Sequence, residues 1–238
     1  NGNNDGMRPD EITITAHGSD GRSYTEKLNA DNQWSVMFSN LPKYAEGKVI
    51  EYSLTEESVP GYTSSITRNG KSFTLINTHV DETKNITITK AWNDENNQDG
   101  LRPKTITAVV NGSDGSARFV QLFEGQNWAT SLNNLPKYKN GTEIQYTVKE
   151  NVIPGYETEI KQTGDSYAIM NSHTPAVVTV SAVKVWDDAN NQDGIRPSLI
   201  QVTLTGSDGS VRNAAITKND GWTYQFKNLP KYKNGVKI

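Results

Sequence analysis

Residues 86–92 read ITITKAW, and the fold of the chain turns on what that stretch is. Apolar and polar residues alternate with the period of a half-buried strand, so Ile86, Ile88, Lys90 and Trp92 share one face. Three of the four suit a core, and the fourth is a lysine. The arrangement recurs further along, where Val178, Val180, Ala182, Lys184 and Trp186 fall together. A lysine in line with an apolar stripe is therefore a repeated feature of this chain.

The recurrence has a fixed step. Trp34, Trp128 and Trp222 lie 94 residues apart, as do the Arg-Pro pairs beginning at 8, 102 and 196 and the NLPKY segments beginning at 40, 134 and 228. A register held without insertion is the signature of a repeat array. The chain is out of phase with its own repeat. Residues 86–174 make a complete unit, residues 1–79 a unit lacking its first strand, and residues 178–238 a unit lacking its C-terminal strands. The connecting stretches VDETKN (80–85) and TPAV (174–177) are short, which predicts beads on a semi-rigid string rather than freely wandering domains.

Within a unit the signals are those of strands. TITAVVNG (105–112), EIQYTVKE (143–150) and SYAIMNSH (166–173) alternate or are rich in β-branched residues. GSDG at 18–21, 112–115 and 206–209 reads as a hairpin turn, and VPGY at 59–62 with IPGY at 153–156 as another. Helical periodicity is scarce. The pattern predicts an all-β chain of tandem antiparallel β-sandwiches of immunoglobulin-like size.

Alternation in the other strands brings further polar groups onto the apolar faces. Ile144, Tyr146, Val148 and Glu150 share a face, and so do Tyr167, Ile169, Asn171 and His173. The first unit repeats both results, with Ile50, Tyr52, Leu54 and Glu56 aligned and Phe73, Leu75, Asn77 and His79 aligned. Burial drives a lysine and a glutamate toward their neutral forms. A neutral amine is a nucleophile, and a protonated carboxyl can donate to an amide oxygen. Within reach of an asparagine, such a pair supports formation of a Lys–Asn isopeptide bond, a strut serving a chain without cysteine as a disulfide serves others. The alternative is a rim position where the lysine snorkels and pairs with the glutamate. Alternation alone leaves both readings open.

Composition narrows the function. Net charge is −3 with Lys and Arg scattered, which argues against nucleic acid or an anionic membrane as partner. No apolar run is long enough to span a membrane, and no signal peptide is visible, so the chain reads as a mature segment or an excerpt. NDENNQDG (93–100) and DDANNQDG (187–194) invite a calcium reading. Counted from Asp94, however, the glycine falls at position seven and Thr105 at position twelve, where an EF-hand needs Gly at six and Glu at twelve. These read as structural loops whose Asn and Asp side chains bond local backbone. His79 and His173 have no Cys or second His at ligand spacing and read as structural, so no metal and no cofactor are expected. The tryptophans read as core or rim packing in alternating strands rather than as a sugar platform. No Ser/His/Asp or Cys/His set is visible, and no small-molecule substrate is expected.

TKAWNDENNQDGLRP, NWATSLNNLPKYKNGTEIQYTVKE, VIPGY and MNSH, in this order, resemble the Cna protein B-type domain, the stalk repeat of Gram-positive collagen adhesins and related pilins. The resemblance covers essentially the whole chain. It implies an inverse-Ig, transthyretin-like sandwich with an autocatalytic isopeptide bond: Lys90 the nucleophile, Asn171 the acceptor and Glu150 the acid/base. Glu56 and Asn77 are equivalents without a lysine partner, and Lys184 an equivalent without Glu or Asn. The resemblance further implies spacer repeats of a cell-wall-anchored, extracellular bacterial adhesin, monomeric and not an enzyme beyond this self-directed single turnover. Host matrix would be contacted through a separate tip domain. The alternative is that the repeats themselves bind a host matrix protein. Repeats of identical length with near-identical loops favour spacing, because recognition usually concentrates variation in one loop set.

Overall fold

The computed structural model describes residues 2–238. Among them there is no α-helix, and the strands are interrupted only by two single-turn 3-10 segments, Glu124–Gln126 and Lys218–Asp220. The chain divides into two compact units, Asn1–Lys84 with Asn134–Gln145, and Asn85–Asn133 with Tyr146–Ile238.

In the second unit ITITKAW is the body of a strand, Thr83–Asn93, in which Ile86, Ile88 and Lys90 are buried while Thr87, Thr89 and Ala91 are exposed. It occupies a four-stranded sheet in the order Ala129–Pro136, Thr83–Asn93, Ser166–Ser172, Glu157–Thr163. The second sheet is Ala117–Phe123, Thr105–Gly112, Tyr146–Glu150. The strands alternate because each buries one face only. Ile86, Ile88, Tyr167 and Ile169 fill the core from the first sheet, and Ile106, Ala108, Val110, Val120, Leu122, Tyr146 and Val148 from the second. The Tyr167 hydroxyl crosses between the sheets and donates to the Tyr146 carbonyl at 2.5 Å, so its buried oxygen is satisfied.

One pairing departs from the antiparallel expectation. Thr83–Asn93 runs parallel to Ser166–Ser172, with Lys90 opposite Ile169 and Trp92 opposite Asn171. Parallel neighbours need a long crossover. Here the intervening strands of the repeat supply it, placing the first and last strands side by side.

Later in this unit Val177–Val183 pairs only with Thr223–Pro230, and Leu199–Thr205 with Val211–Thr217. Val178 and Val180 are 37% and 38% exposed. Their alternation is that of a core strand, but among the described residues no strand takes the place that Ser166–Ser172 takes beside Thr83–Asn93. Ala214, Ile216 and Phe226 are buried.

The first unit holds a three-stranded sheet, Ser23–Asn29, Glu11–Gly18, Tyr52–Glu56, and the hairpin Thr63–Asn69 with Ser72–Thr78. A cleft in this unit has Ile14, Leu54, Phe73 and Leu75 in its lining, and Trp34 on its wall is 38% exposed. Tyr44–Ala45 pairs with Lys48–Val49, and Tyr138–Lys139 with Thr142–Glu143, as short ribbons of the same unit.

Trp128 corrects the reading that the tryptophans sit in strands. It has φ 54° and precedes Ala129–Pro136, its N–H donating to the Phe123 carbonyl at 3.1 Å to close the turn after the 3-10 segment. Trp34 and Trp222 share the conformation, with φ 55° and 56°. Positive φ is unfavourable for a bulky residue, and edge-on packing of Trp128 against Trp92, ring centroids 5.2 Å apart, offsets that cost.

Ile88 is fully buried, so Ile88→Ala is expected to destabilise the second unit by about 2–5 kcal/mol. Val180→Ala, at a partly exposed position, should cost well under half as much. Urea unfolding, read as a lowered midpoint at constant m-value, checks both.

Candidate functional site

Lys90 and Glu150 meet between the two sheets of the second unit. Strand alternation directs both inward, leaving their side chains 0% and 1% exposed with Lys90 Nζ 3.5 Å from Glu150 Oε1. Lys90 Nζ also donates to the Ala91 carbonyl at 3.2 Å and lies 4.1 Å from the Trp92 ring centroid. Burial pulls the amine down from the ordinary lysine range to about 8, against the opposing pull of the Glu150 charge. A large share of such an amine is neutral at mildly alkaline pH. Glu150 Oε2 accepts from the Thr158 hydroxyl at 2.9 Å, while Oε1 has no hydrogen-bond partner.

Asn171 projects onto the same face from the neighbouring parallel strand, diagonal to Lys90. It is 0% exposed, and neither Oδ1 nor Nδ2 has a hydrogen-bond partner. A buried polar group left unsatisfied costs about 1–3 kcal/mol, and both ends of this carboxamide are in that state. The structure therefore brings Lys90 and Glu150 into contact and sets Asn171 beside them, hydrogen-bonded to neither.

The partial sets differ as their sequences do. In the first unit Asn77 Nδ2 donates to Glu56 Oε1 at 2.6 Å, and the Ser64 hydroxyl to Glu56 Oε2 at 2.5 Å. Carboxamide and carboxyl are thus in direct contact where no lysine intervenes. Lys184 is half-buried, donates to the Val185 carbonyl at 2.9 Å and lies 4.3 Å from the Trp186 ring centroid.

The end of the core beyond Lys90 is closed by an ion pair set on aromatic rings. Asp94, 2% exposed, accepts from Arg102 Nε at 3.1 Å, Arg102 Nη2 at 2.6 Å, the Tyr156 hydroxyl at 2.7 Å and the Asn97 N–H at 2.9 Å. Burial works to raise the Asp94 carboxyl, but these donors outweigh it and hold it below the usual carboxylate range. Tyr156 and Arg102 flank the Trp92 ring with centroid separations of 5.1 and 5.4 Å. The loop that carries Asp94 has three consecutive left-handed residues, Glu95, Asn96 and Asn97 (φ 48°, 59° and 62°), a conformation Asn tolerates better than most residues. Its side chains bond local backbone, as the sequence reading expects: Asn97 Oδ1 accepts the Arg102 N–H at 2.9 Å.

The same loop ends on Asp99. Its Oδ2 accepts from His173 Nε2 at 3.0 Å and from the Ala176 N–H at 2.8 Å, while His173 Nδ1 lies 2.8 Å from the Gly155 carbonyl. Carbonyl and carboxylate can only accept, so both ring nitrogens donate and His173 is held as imidazolium. The bond to Asp99, ahead of the Gly155 contact and against burial, raises its pKa.

With this geometry in place, comparison with known proteins gives the relationship. The model of the Cna protein B-type domain matches residues 1–78, 86–172 and 180–238. The chain belongs to the Cna protein B-type domain family. It is 36% identical over 240 residues to a collagen adhesin of Staphylococcus aureus, covering 99% of this chain and 20% of that protein. It thus spans about a fifth of that relative's length. It also resembles the crystal structure of two B repeat units of the Staphylococcus aureus collagen-binding protein, with a TM-score of 0.60 and 35% identity over 99% of this chain and 63% of that one. The relatives are adhesin repeats rather than enzymes.

Reading this B-type array strand by strand misses Asp94, Arg102 and Tyr156, which lie in loops, and Thr158, which faces Asn171 from the edge strand Glu157–Thr163. The 94-residue step carries the available signal, since Asp94, Arg102 and Thr158 recur as Asp188, Arg196 and Ser64. Arg196 again forks onto Asp188, through Nε at 2.9 Å and through Nη2.

Asp94→Ala strands a partly buried Arg102, and a loss of about 3–5 kcal/mol from the second unit is expected. Asp188→Ala should cost less, because Asp188 is already 28% exposed. Denaturant unfolding separates the two. His173 has a raised folded pKa, so its contribution is fully present below the unfolded value near 6.5 and lost as pH rises through the folded value. The stability difference between the wild-type chain and His173→Gln, measured from pH 6 to 9, should therefore shrink as pH rises.

Proposed function

We propose that this array is a spacer stalk of a bacterial surface adhesin, with its middle repeat strutted by a Lys90–Asn171 isopeptide bond. The reading is carried by one observation: a buried amine in contact with a buried carboxyl, beside a carboxamide with no hydrogen-bond partner. Neutral Lys90 Nζ attacks Asn171 Cγ while the Glu150 carboxyl donates to the amide oxygen. Glu150 relays the proton from the attacking nitrogen to the departing one. The Cγ–Nδ2 bond breaks, ammonia leaves, and a new Nζ–Cγ amide joins the strands. No redox change and no cofactor enter, and the site acts once.

The joined strands are the first and last of the repeat and lie side by side in parallel. Tension applied at the ends of the repeat would then pass through the new bond, leaving the residues between shielded from pulling. That property suits a stalk holding an adhesive tip away from the wall. Cell-wall anchoring, the separate tip and a monomeric state belong to the same proposal. Glu56 with Asn77, and Lys184, are then parts of equivalent sites whose remaining members this chain does not supply.

Intact mass spectrometry of the purified chain is the test. The mass should fall short of the sequence formula by one ammonia, and Lys90→Ala or Glu150→Ala should restore the full value. An unreacted wild-type mass defeats the cross-link. Saturable submicromolar binding of collagen or fibrinogen to immobilised chain would replace the spacer by the matrix-binding reading.

A further inference from the structure

The joint at the end of the first repeat holds a group of side chains that the isopeptide chemistry does not use. His79 Nδ1 lies 2.7 Å from the Gly61 carbonyl, and Nε2 lies 2.9 Å from Asp5 Oδ2. The Gly61 contact makes Nδ1 a donor, so Nε2 meets the carboxylate oxygen through a cation, either the proton of an imidazolium as at His173 or a metal ion in its place. The Asp5 side chain is 2% exposed, and its Oδ1 is buried with no hydrogen-bond partner. A second carboxylate arrives from Asp81, two residues beyond the histidine, and accepts from Asn4 Nδ2 at 3.1 Å. One potential ligand atom from each of Asp5, His79 and Asp81 lies within 4.8 Å of the others.

We propose that Asp5, His79 and Asp81 form a binding site for a divalent transition metal, with zinc the best fit. One imidazole and two carboxylates match zinc's preference for nitrogen and oxygen ligands at about 2.0–2.2 Å. Calcium, which takes six to eight oxygens, is poorly served by so few ligands and an imidazole. The supporting contacts are those that fix metal ligands elsewhere. The Gly61 carbonyl makes Nδ1 the donor and turns Nε2 toward Asp5, the Glu82 N–H binds Asp5 Oδ2 at 2.8 Å, and Asn4 orients Asp81. His79 and Asp81 share one segment, and Asp5 is 74 residues away from the histidine. A search by local ligand spacing passes over such a set.

The chain carries its own control. Asp99 and His173 repeat the first two members, and Asp99 Oδ1 is likewise buried without a hydrogen-bond partner. The position equivalent to Asp81 is Pro175. The second joint is left with a proton between ring and carboxylate, whereas the first has a third ligand to complete a metal site.

Titration of the full chain with cobalt(II) by visible absorption, and with zinc by calorimetry, tests this. One equivalent should bind, and Asp81→Asn, with the fold checked by circular dichroism, should weaken binding by about 10-fold or more. His173→Gln should leave binding unchanged, and Pro175→Asp should raise the stoichiometry from one to two. Absence of binding up to millimolar metal, a site indifferent to Asp81→Asn, or a stoichiometry of one in Pro175→Asp overturns the proposal.

Discussion

Lys90 and Glu150 lose essentially all contact with water, 3.5 Å apart, and the rest of the site is arranged around the cost of that. Removing an amine and a carboxyl from solvent costs several kcal/mol per ion, and their mutual attraction seldom returns more than it took. As a mere ion pair this would be a poor use of a core. The lowered Lys90 pKa and the unpartnered Asn171 carboxamide are costs of the same kind, and strain of this sort gathers where chemistry is done. Under the proposed cross-link, the one reaction removes both charges and replaces a stranded carboxamide with a secondary amide.

The three copies of the set show what the surrounding strands contribute. In the first unit, where no lysine intervenes, Glu56 and Asn77 bond to each other beside a cleft that Asn77 helps to line. Lys184 makes the same contact as Lys90, each amine donating to the carbonyl of the following residue, but it stays half-buried. Among the described residues the middle copy alone has a four-stranded sheet with a three-stranded one, and there the Lys90 side chain is fully withdrawn from water. Burial, more than residue identity, separates the two lysines.

The joints follow a different logic. Each connecting stretch is tied by backbone: the Lys137 N–H donates to the Glu82 carbonyl at 3.0 Å, and the Lys231 N–H to the Ala176 carbonyl at 2.9 Å. Each also meets an Asp–His pair reaching from the Asn-rich loop, through the Glu82 N–H in one case and the Ala176 N–H in the other. In the second unit the loop's Gly100 packs against Gly235, whose N–H donates to the Gln98 carbonyl at 3.0 Å, and a Cβ on Gly100 would come 2.4 Å from the Gly235 Cα.

The sequence by itself determined the strands, the repeat and the inward faces. Period-two alternation depends only on backbone geometry, and a 94-residue step without slippage fixes which residues are equivalent. That was enough to place Lys90, Glu150 and Asn171 on apolar faces, and to read NDENNQDG as a loop bonding its own backbone. Tertiary structure decided what alternation cannot see. It set the first strand parallel to the last, so that Lys90 and Asn171 became diagonal neighbours. It turned Trp128 out of its strand into a left-handed turn, and it joined Asp94 to Arg102 and Tyr156, and Asp5 to His79. These contacts join residues from separate loops, where no periodicity operates and only the closure of the sheets sets distance.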